Sequence, residues 1–184
     1  MEPLAEAVLA GAAAFAATNV DDLVLLIAFF AAGTYRRGDI VLGQFAGIGL
    51  LFAASAAASF VSLVIPANEL SLLGLLPLLI GLKQLFGKAA LEETVPPTSG
   101  FLPVAAVTVA NGGDNIGVYA PLFATSSAQA ISAMGAVFAA MTALWCLAAR
   151  WLVQHPAAAT SIRRYGPMTM PFVLIGIGAF ILLS

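Results

Sequence analysis

The chain has 184 residues, of which 61% are hydrophobic and only 9% charged, and its mean hydropathy is +1.03. Soluble domains carry about 25% charged residues, so this composition excludes a water-covered globule and selects lipid as the solvent of the surface. The formal net charge of −2 favours no partner by itself, and without a basic run or a basic patch interleaved with aromatics no nucleic-acid partner is expected.

A bilayer-spanning helix needs roughly 20 apolar residues. The chain has room for six such helices and little else, which predicts an all-α membrane protein with one transmembrane domain over 1–184. The start, Met1-Glu2-Pro3-Leu4, has no basic region ahead of the first apolar stretch. That stretch is therefore expected to be a retained helix rather than a cleaved signal. Polar and Pro/Gly breaks place the spans at 4–32, 40–65, 70–87, 101–124, 128–153 and 167–183.

The first span carries Asn19-Val-Asp-Asp22 and is long, about 43 Å if helical throughout. Tilt or local unwinding around 19–22 would absorb the excess. The second carries Gly43 and Gly47 and a run of alanines and serines over 53–59, small residues that let helices pack closely in lipid. Gln44, near its start, suits either an entrance or an interfacial position. The third contains Leu78-Leu-Ile-Gly81, and the polar stretch 88–100 follows, with Glu92, Glu93, Pro96 and Pro97. That stretch divides the chain into a first repeat of about 1–87 and a second of about 101–184.

The fourth span contains Asn111-Gly-Gly-Asp114-Asn115. Adjacent glycines each weaken a helix by roughly 1 kcal/mol relative to alanine, and Pro121 removes a backbone donor further on. Broken first and fourth helices are the expectation. Met134 and Met141 of the fifth span and Met168 and Met170 of the sixth read as packing residues. Cys146 is the only cysteine, which excludes an intrachain disulfide and a cysteine metal cluster. His155, beside Pro156, reads as a solvated loop residue.

All seven basic residues, Arg36, Arg37, Lys83, Lys88, Arg150, Arg163 and Arg164, lie in or beside the first, third or fifth loop. The positive-inside rule makes those loops cytoplasmic and puts both termini on the outer side. Three spans per half means that the second half enters the membrane in the opposite sense. Asn19-x-x-Asp22 matches Asn111-x-x-Asp114, and Leu78-Leu-Ile-Gly81 matches Val173-Leu-Ile-Gly176, at offsets of 92 and 95 residues. An inverted repeat of two three-helix units follows, a common plan of secondary transporters.

Six of the acidic residues sit near span ends or in loops, whereas Asp21, Asp22 and Asp114 lie well inside apolar spans with no basic residue beside them. Ionisable groups at that depth are costly and mark functional sites. Asn111 stands about 15 Å from either face, near the bilayer midplane. The predicted site is an all-oxygen cage. It has the carboxylates of Asp22 and Asp114, the amides of Asn19 and Asn111, and Asp21 and Asn115 flanking. Thr18 and Thr108 add hydroxyls unless each bonds its own helix backbone.

Oxygen donors without Cys or His suit Mg²⁺, Ca²⁺ or Mn²⁺. Burial and like charge disfavour bare paired carboxylates, so protons are expected to replace a departing cation. The expected mechanism is cation/proton antiport, with the metal as substrate and no cofactor. The expected partners are the cation, protons and the bilayer, and a homodimer stays open.

The segments Ala17-Thr-Asn-Val-Asp-Asp-Leu23 and Ala110-Asn-Gly-Gly-Asp-Asn-Ile-Gly-Val-Tyr-Ala-Pro-Leu-Phe123 resemble the two signature segments of the CadD-like cadmium resistance transporters. Gly43-Gln-Phe-Ala-Gly47, Arg164-Tyr-Gly-Pro and Pro171-Phe-Val-Leu-Ile-Gly176 resemble that family's second and sixth spans. The family belongs to the lysine-exporter superfamily. The resemblance implies efflux of a divalent metal, nominally cadmium, across a bacterial plasma membrane, with Asp22, Asp114 and their asparagines binding it.

Four other readings fit the residues less well. An intramembrane aspartyl protease uses G-x-G-D, whereas Asn111 stands at the first glycine here. An exporter of an organic cation or basic amino acid would favour an aromatic cage, and only Phe15 and Tyr119 lie close in sequence. A scaffold or a purely structural polar clamp leaves the repeated N-x-x-D, or the cost of three intramembrane acids, unexplained.

Overall fold

Apolar runs punctuated by Asn, Gly and Pro fold into helices in the computed structural model, which describes residues 3–60, 67–86, 96 and 99–183. Among these, eight α-helices and one 3-10 segment are formed and no strand. The first expected span is two helices, α1 (Pro3–Thr18) and α2 (Val20–Ala32), bent by 53° where they meet. Asn19 sits at the bend with φ −114° and ψ 18°, outside the helical basin. Helical hydrogen bonds nevertheless run into and out of it, Asn19 N to Phe15 O at 3.0 Å and Leu23 N to Asn19 O at 3.1 Å. The unwinding expected around 19–22 is therefore a one-residue kink. Gly33 closes α2 at φ 70°, the left-handed conformation that favours glycine.

α3 (Arg37–Ser59) is uninterrupted. The expected second span ran on to 65, and 61–66 lie outside the described residues. A 3-10 segment (Ala67–Gly74) leads into α4 (Leu75–Phe86) where the third span was expected. Of the polar stretch 88–100, only 96, 99 and 100 are described. The fourth expected span is broken at Gly112 into α5 (Phe101–Asn111) and α6 (Gly113–Ala124), as the paired glycines predict. α7 (Ala128–Val153) opens on Ser127, whose Oγ accepts from the Ala130 amide at 3.2 Å, a standard N-cap.

α8 corrects the sequence reading. It runs from Pro156 to Leu183, so helix begins 11 residues before the expected start at 167. Proline at a first helical position is favoured because its missing N–H would be unpaired there anyway. Arg163 and Arg164 are consequently helical rather than in a loop.

By length and apolarity, α3 and α7 can each cross a bilayer, and the bent α1–α2 pair is long and apolar enough for a third if it forms one broken span. The remaining apolar helical stretches, Ser71–Phe86, Phe101–Asn111 and Pro171–Leu183, are shorter. Large apolar side chains face outward all along the bundle, among them Leu50, Leu79, Leu102, Leu147 and Phe172. An apolar surface that extensive suits lipid rather than water.

The broken helices pack crosswise: α1 and α2 lie on α7, α5 and α6 lie on α3, and α4 lies on α8. Glycines set the closest approaches. A Cβ at Gly43 would fall 2.5 Å from Phe101 O, and one at Gly47 would fall 2.6 Å from Thr108 Cβ, so α3 and α5 nearly touch. Gly81 and Gly178 do the same between α4 and α8. The packing role expected for Gly43 and Gly47 is what the fold uses. Met134 is fully buried beside Phe15 and Phe138 in one of two apolar clusters, as a packing residue should be.

Candidate functional site

The two breaks lie against each other, and polar side chains join them. Asn111 Nδ2, from the end of α5, donates to Asp22 Oδ1 in the first turn of α2 at 3.1 Å. Asn115 Nδ2, in the first turn of α6, donates to Asn19 Oδ1 at 3.3 Å. The two N-x-x-D segments, 92 residues apart in sequence, thus meet through one side-chain bond, and Asn115, the residue after the second segment, adds another.

Asp22 is buried, with 2% of its surface exposed. Both of its oxygens are engaged by neutral amides, Oδ1 by Asn111 and Oδ2 by Gln44 Nε2 at 2.8 Å. Thr108 Oγ donates to Gln44 Oε1 at 2.8 Å and fixes that amide. The sequence left Thr108 open between helix backbone and site, and it bonds the site. Thr18 takes the other course. Its hydroxyl donates to Ala14 O at 3.0 Å and, having one proton, accepts from the Tyr119 hydroxyl at 2.7 Å.

Asn19 is fully buried, and its amide donates to Phe15 O at 2.8 Å and to the Tyr119 hydroxyl at 2.7 Å. Its main-chain oxygen accepts from Trp145 Nε1 on α7 at 2.6 Å. The first break is therefore clamped from two sides.

Asp114 and Asp21 are half-buried and less tightly held. Asp114 Oδ1 accepts from the Asn115 main-chain N–H at 3.0 Å, and Gln84 Nε2 of α4 reaches Oδ2 only at 3.5 Å. Asp21 Oδ1 accepts from the Asp22 amide at 2.8 Å. Among the described residues no three His, Cys, Asp or Glu groups converge as a metal centre. What converges is a mixed set of carboxylate and amide groups. Within it Asn115 Oδ1 is buried with no hydrogen-bond partner. A buried acceptor of that kind is where a donor or a cation is expected to complete the shell.

All six sequence-predicted site residues lie at or within three residues of the breaks at Asn19 and Gly112. The structure joins Asn19 with Asn115 and Asp22 with Asn111, but it gives no direct bond between the Asp22 and Asp114 carboxylates. Six further residues belong to the network: Thr18, Gln44, Gln84, Thr108, Tyr119 and Trp145. An amide or hydroxyl within an apolar span was the available signal for Gln44 and Thr108. Trp145 carried none, because indoles are common in such helices. His155 is exposed and stacked on Trp151, and Cys146 is buried among apolar side chains; neither joins the site.

No curated protein and no solved structure matches the chain. The family described as cadmium resistance transporter does match it, over residues 15–184, a stretch that includes both breaks and every residue of the network. The chain belongs to the cadmium resistance transporter family.

Proposed function

We propose that the protein exports a divalent metal cation, Cd²⁺ or a related ion, across a bacterial plasma membrane in exchange for protons, and that the joined breaks hold the ion. The observation that carries this reading is the pairing of two N-x-x-D segments inside an apolar bundle, with both oxygens of the Asp22 carboxylate bonded, among the described residues, by neutral amides. A buried carboxylate without a basic partner is costly, and a passing cation would supply the missing charge. The carboxylates of Asp22, Asp114 and Asp21 and the amide oxygens of Asn19, Asn111 and Asn115 are the proposed ligands. Protons take the cation's place on the carboxylates for the return step.

Alternating access needs two bundles that rock about a fixed site. The crosswise packing of each broken helix on the long helix of the other half is what an inverted repeat of three-span units would produce. Six spans also fit the polarity of the bundle. Tyr35, Leu152 and Ala159 share one buried cluster at the end holding the first and fifth loops, and the Tyr35 hydroxyl donates to Pro96 O of the third loop at 2.8 Å. Ala7, Phe123, Ile131 and Ile181 share the other cluster, with the fourth loop and both chain ends. The first end is the proposed cytoplasmic side.

Uptake into proteoliposomes of purified protein tests the reading, with Cd²⁺, Mn²⁺, Ca²⁺, Mg²⁺, Zn²⁺ and lysine offered with and without an imposed pH gradient. Metal flux that follows the gradient is expected. Lysine flux without metal flux would make the carboxylates ammonium binders instead. Asp22→Asn and Asp114→Asn are each expected to abolish flux while the protein still inserts, and normal transport by either would remove that residue from the site.

A further inference from the structure

The amides on Asp22 are not equivalent. Gln44 Nε2 meets Oδ2 at 2.8 Å, and its own oxygen is tied at 2.8 Å by the Thr108 hydroxyl. Gln44 and Thr108 are both buried, at 3% and 2% exposure. They are pressed together where Gly43 and Gly47 let α3 meet α5. Turning the Gln44 amide over would set its oxygen against a carboxylate oxygen and leave the Thr108 hydroxyl facing an N–H. That exchange loses the buried hydrogen bond to Asp22 Oδ2, while the Thr108 hydroxyl would accept from the N–H it then faces, so Asp22 sets the orientation of the amide and Thr108 holds it in place. Asn111 is different: it is half-buried at the last residue of α5, beside the Gly112 break, and its bond to Oδ1 is longer, 3.1 Å.

We infer that Gln44, locked by Thr108, is a specificity-determining positioning residue that holds Asp22 Oδ2 and leaves Oδ1 as the oxygen that changes partner. The inference rests on the reading of Asp22 as a cation ligand. On binding, Asn111 gives up its N–H bond to Oδ1 and turns its amide oxygen to the ion. Asp22 then coordinates through one oxygen, since the other stays with Gln44. A carboxylate restricted in this way disfavours Ca²⁺, which takes 6–8 oxygens and often grips a carboxylate by both. Ions satisfied with fewer ligands are retained.

The test is calorimetric titration of Cd²⁺ and of Ca²⁺ into the full-length protein in lipid nanodiscs, comparing wild type, Gln44→Met, Thr108→Val, Thr108→Ser and Asp22→Asn. Removing a group that orients a metal ligand changes affinity by about 10- to 100-fold. Gln44→Met is therefore expected to lower the ratio of the Ca²⁺ Kd to the Cd²⁺ Kd by about tenfold. Thr108→Val should move the ratio the same way, and Thr108→Ser, which keeps the hydroxyl, should restore the wild-type ratio. A merely structural role would weaken both ions together and leave the ratio unchanged, and that result overturns the inference. The Thr108 pair decides the matter if Gln44→Met does not fold, and a Thr108→Ser ratio equal to that of Thr108→Val overturns it as well. If wild type binds neither ion, or Asp22→Asn binds as wild type does, the cation site itself is wrong. Binding lost in Asp22→Asn with an unmoved ratio in Gln44→Met overturns only the role of Gln44.

Discussion

Tyr119 shows how one side chain fixes a kink. Its hydroxyl donates to Thr18 and accepts from Asn19, the residues on which α1 ends and turns. The ring packs against Phe138 with centroids 4.7 Å apart. Tyr119→Phe keeps the ring and removes both bonds, leaving a buried amide N–H without its closest acceptor. The expected cost is about 1–3 kcal/mol, read as a lower unfolding midpoint in detergent; an unchanged midpoint would make the hydroxyl dispensable. Trp145→Phe removes the 2.6 Å bond to the Asn19 carbonyl while keeping an aromatic ring beside Phe15. It should slow transport more than it lowers stability, because that carbonyl still accepts from the Leu23 amide; rates are read in proteoliposomes and stability in detergent. At this scale the sequence marked the acids and asparagines, which are conspicuous in an apolar span. It could not mark Trp145, whose role depends on which helix faces the kink.

The elements owe their positions to small residues. α3 and α5 approach until a Cβ at Gly47 would collide with Thr108, and that approach is what brings Gln44 to Thr108. Gly47→Ala should push α3 and α5 apart, lower the unfolding midpoint and abolish metal flux. Gly49→Ala, on the same helix with open space around it, should leave both unchanged and serves as the matched control; equal effects from the two would rule out close packing as the cause. The sequence pattern of small residues foretold tight packing but not the partner. Similarly, the paired glycines foretold the break at Gly112, whereas the break at Asn19 involves neither Gly nor Pro. A kink there needs the side-chain bonds to Phe15 O, Tyr119 and Trp145, which local propensity does not contain. The early start of α8 was missed for a related reason, since Pro156 reads as a breaker unless it is recognised as a first helical residue.

Among the described residues, Tyr35, Leu152 and Ala159 share one apolar cluster, with Pro96 bonded to Tyr35, and Ala7, Phe123, Ile131 and Ile181 share the other; the proposed topology makes these the two ends of the bundle. Sidedness is open to direct measurement. In a Cys146→Ser background, Gln129→Cys should react with a membrane-impermeant maleimide applied to intact cells. Thr34→Cys and Gln154→Cys should react only after the membrane is opened. All three positions are exposed. Labelling of Thr34→Cys from outside would reverse the proposed orientation, and labelling of both Thr34→Cys and Gln129→Cys from one side would dismantle the six-span topology.

Membrane residence and helical class followed from composition alone, because so few charges cannot cover a water-facing surface. The acids and asparagines of the candidate site stood out in the sequence by their depth in apolar runs, since an ionisable group there demands a reason. Only the tertiary structure decided that the two motifs touch, that Asp22 is held by Gln44 and Asn111, and that Asp114 stands apart with a weaker partner. The physical reason is that these bonds join residues distant in sequence, between helices whose facing sides are set by glycine contacts. Hydrophobic periodicity fixes that a helix forms and is buried, but in a chain apolar on every face it carries little information about which face meets which neighbour.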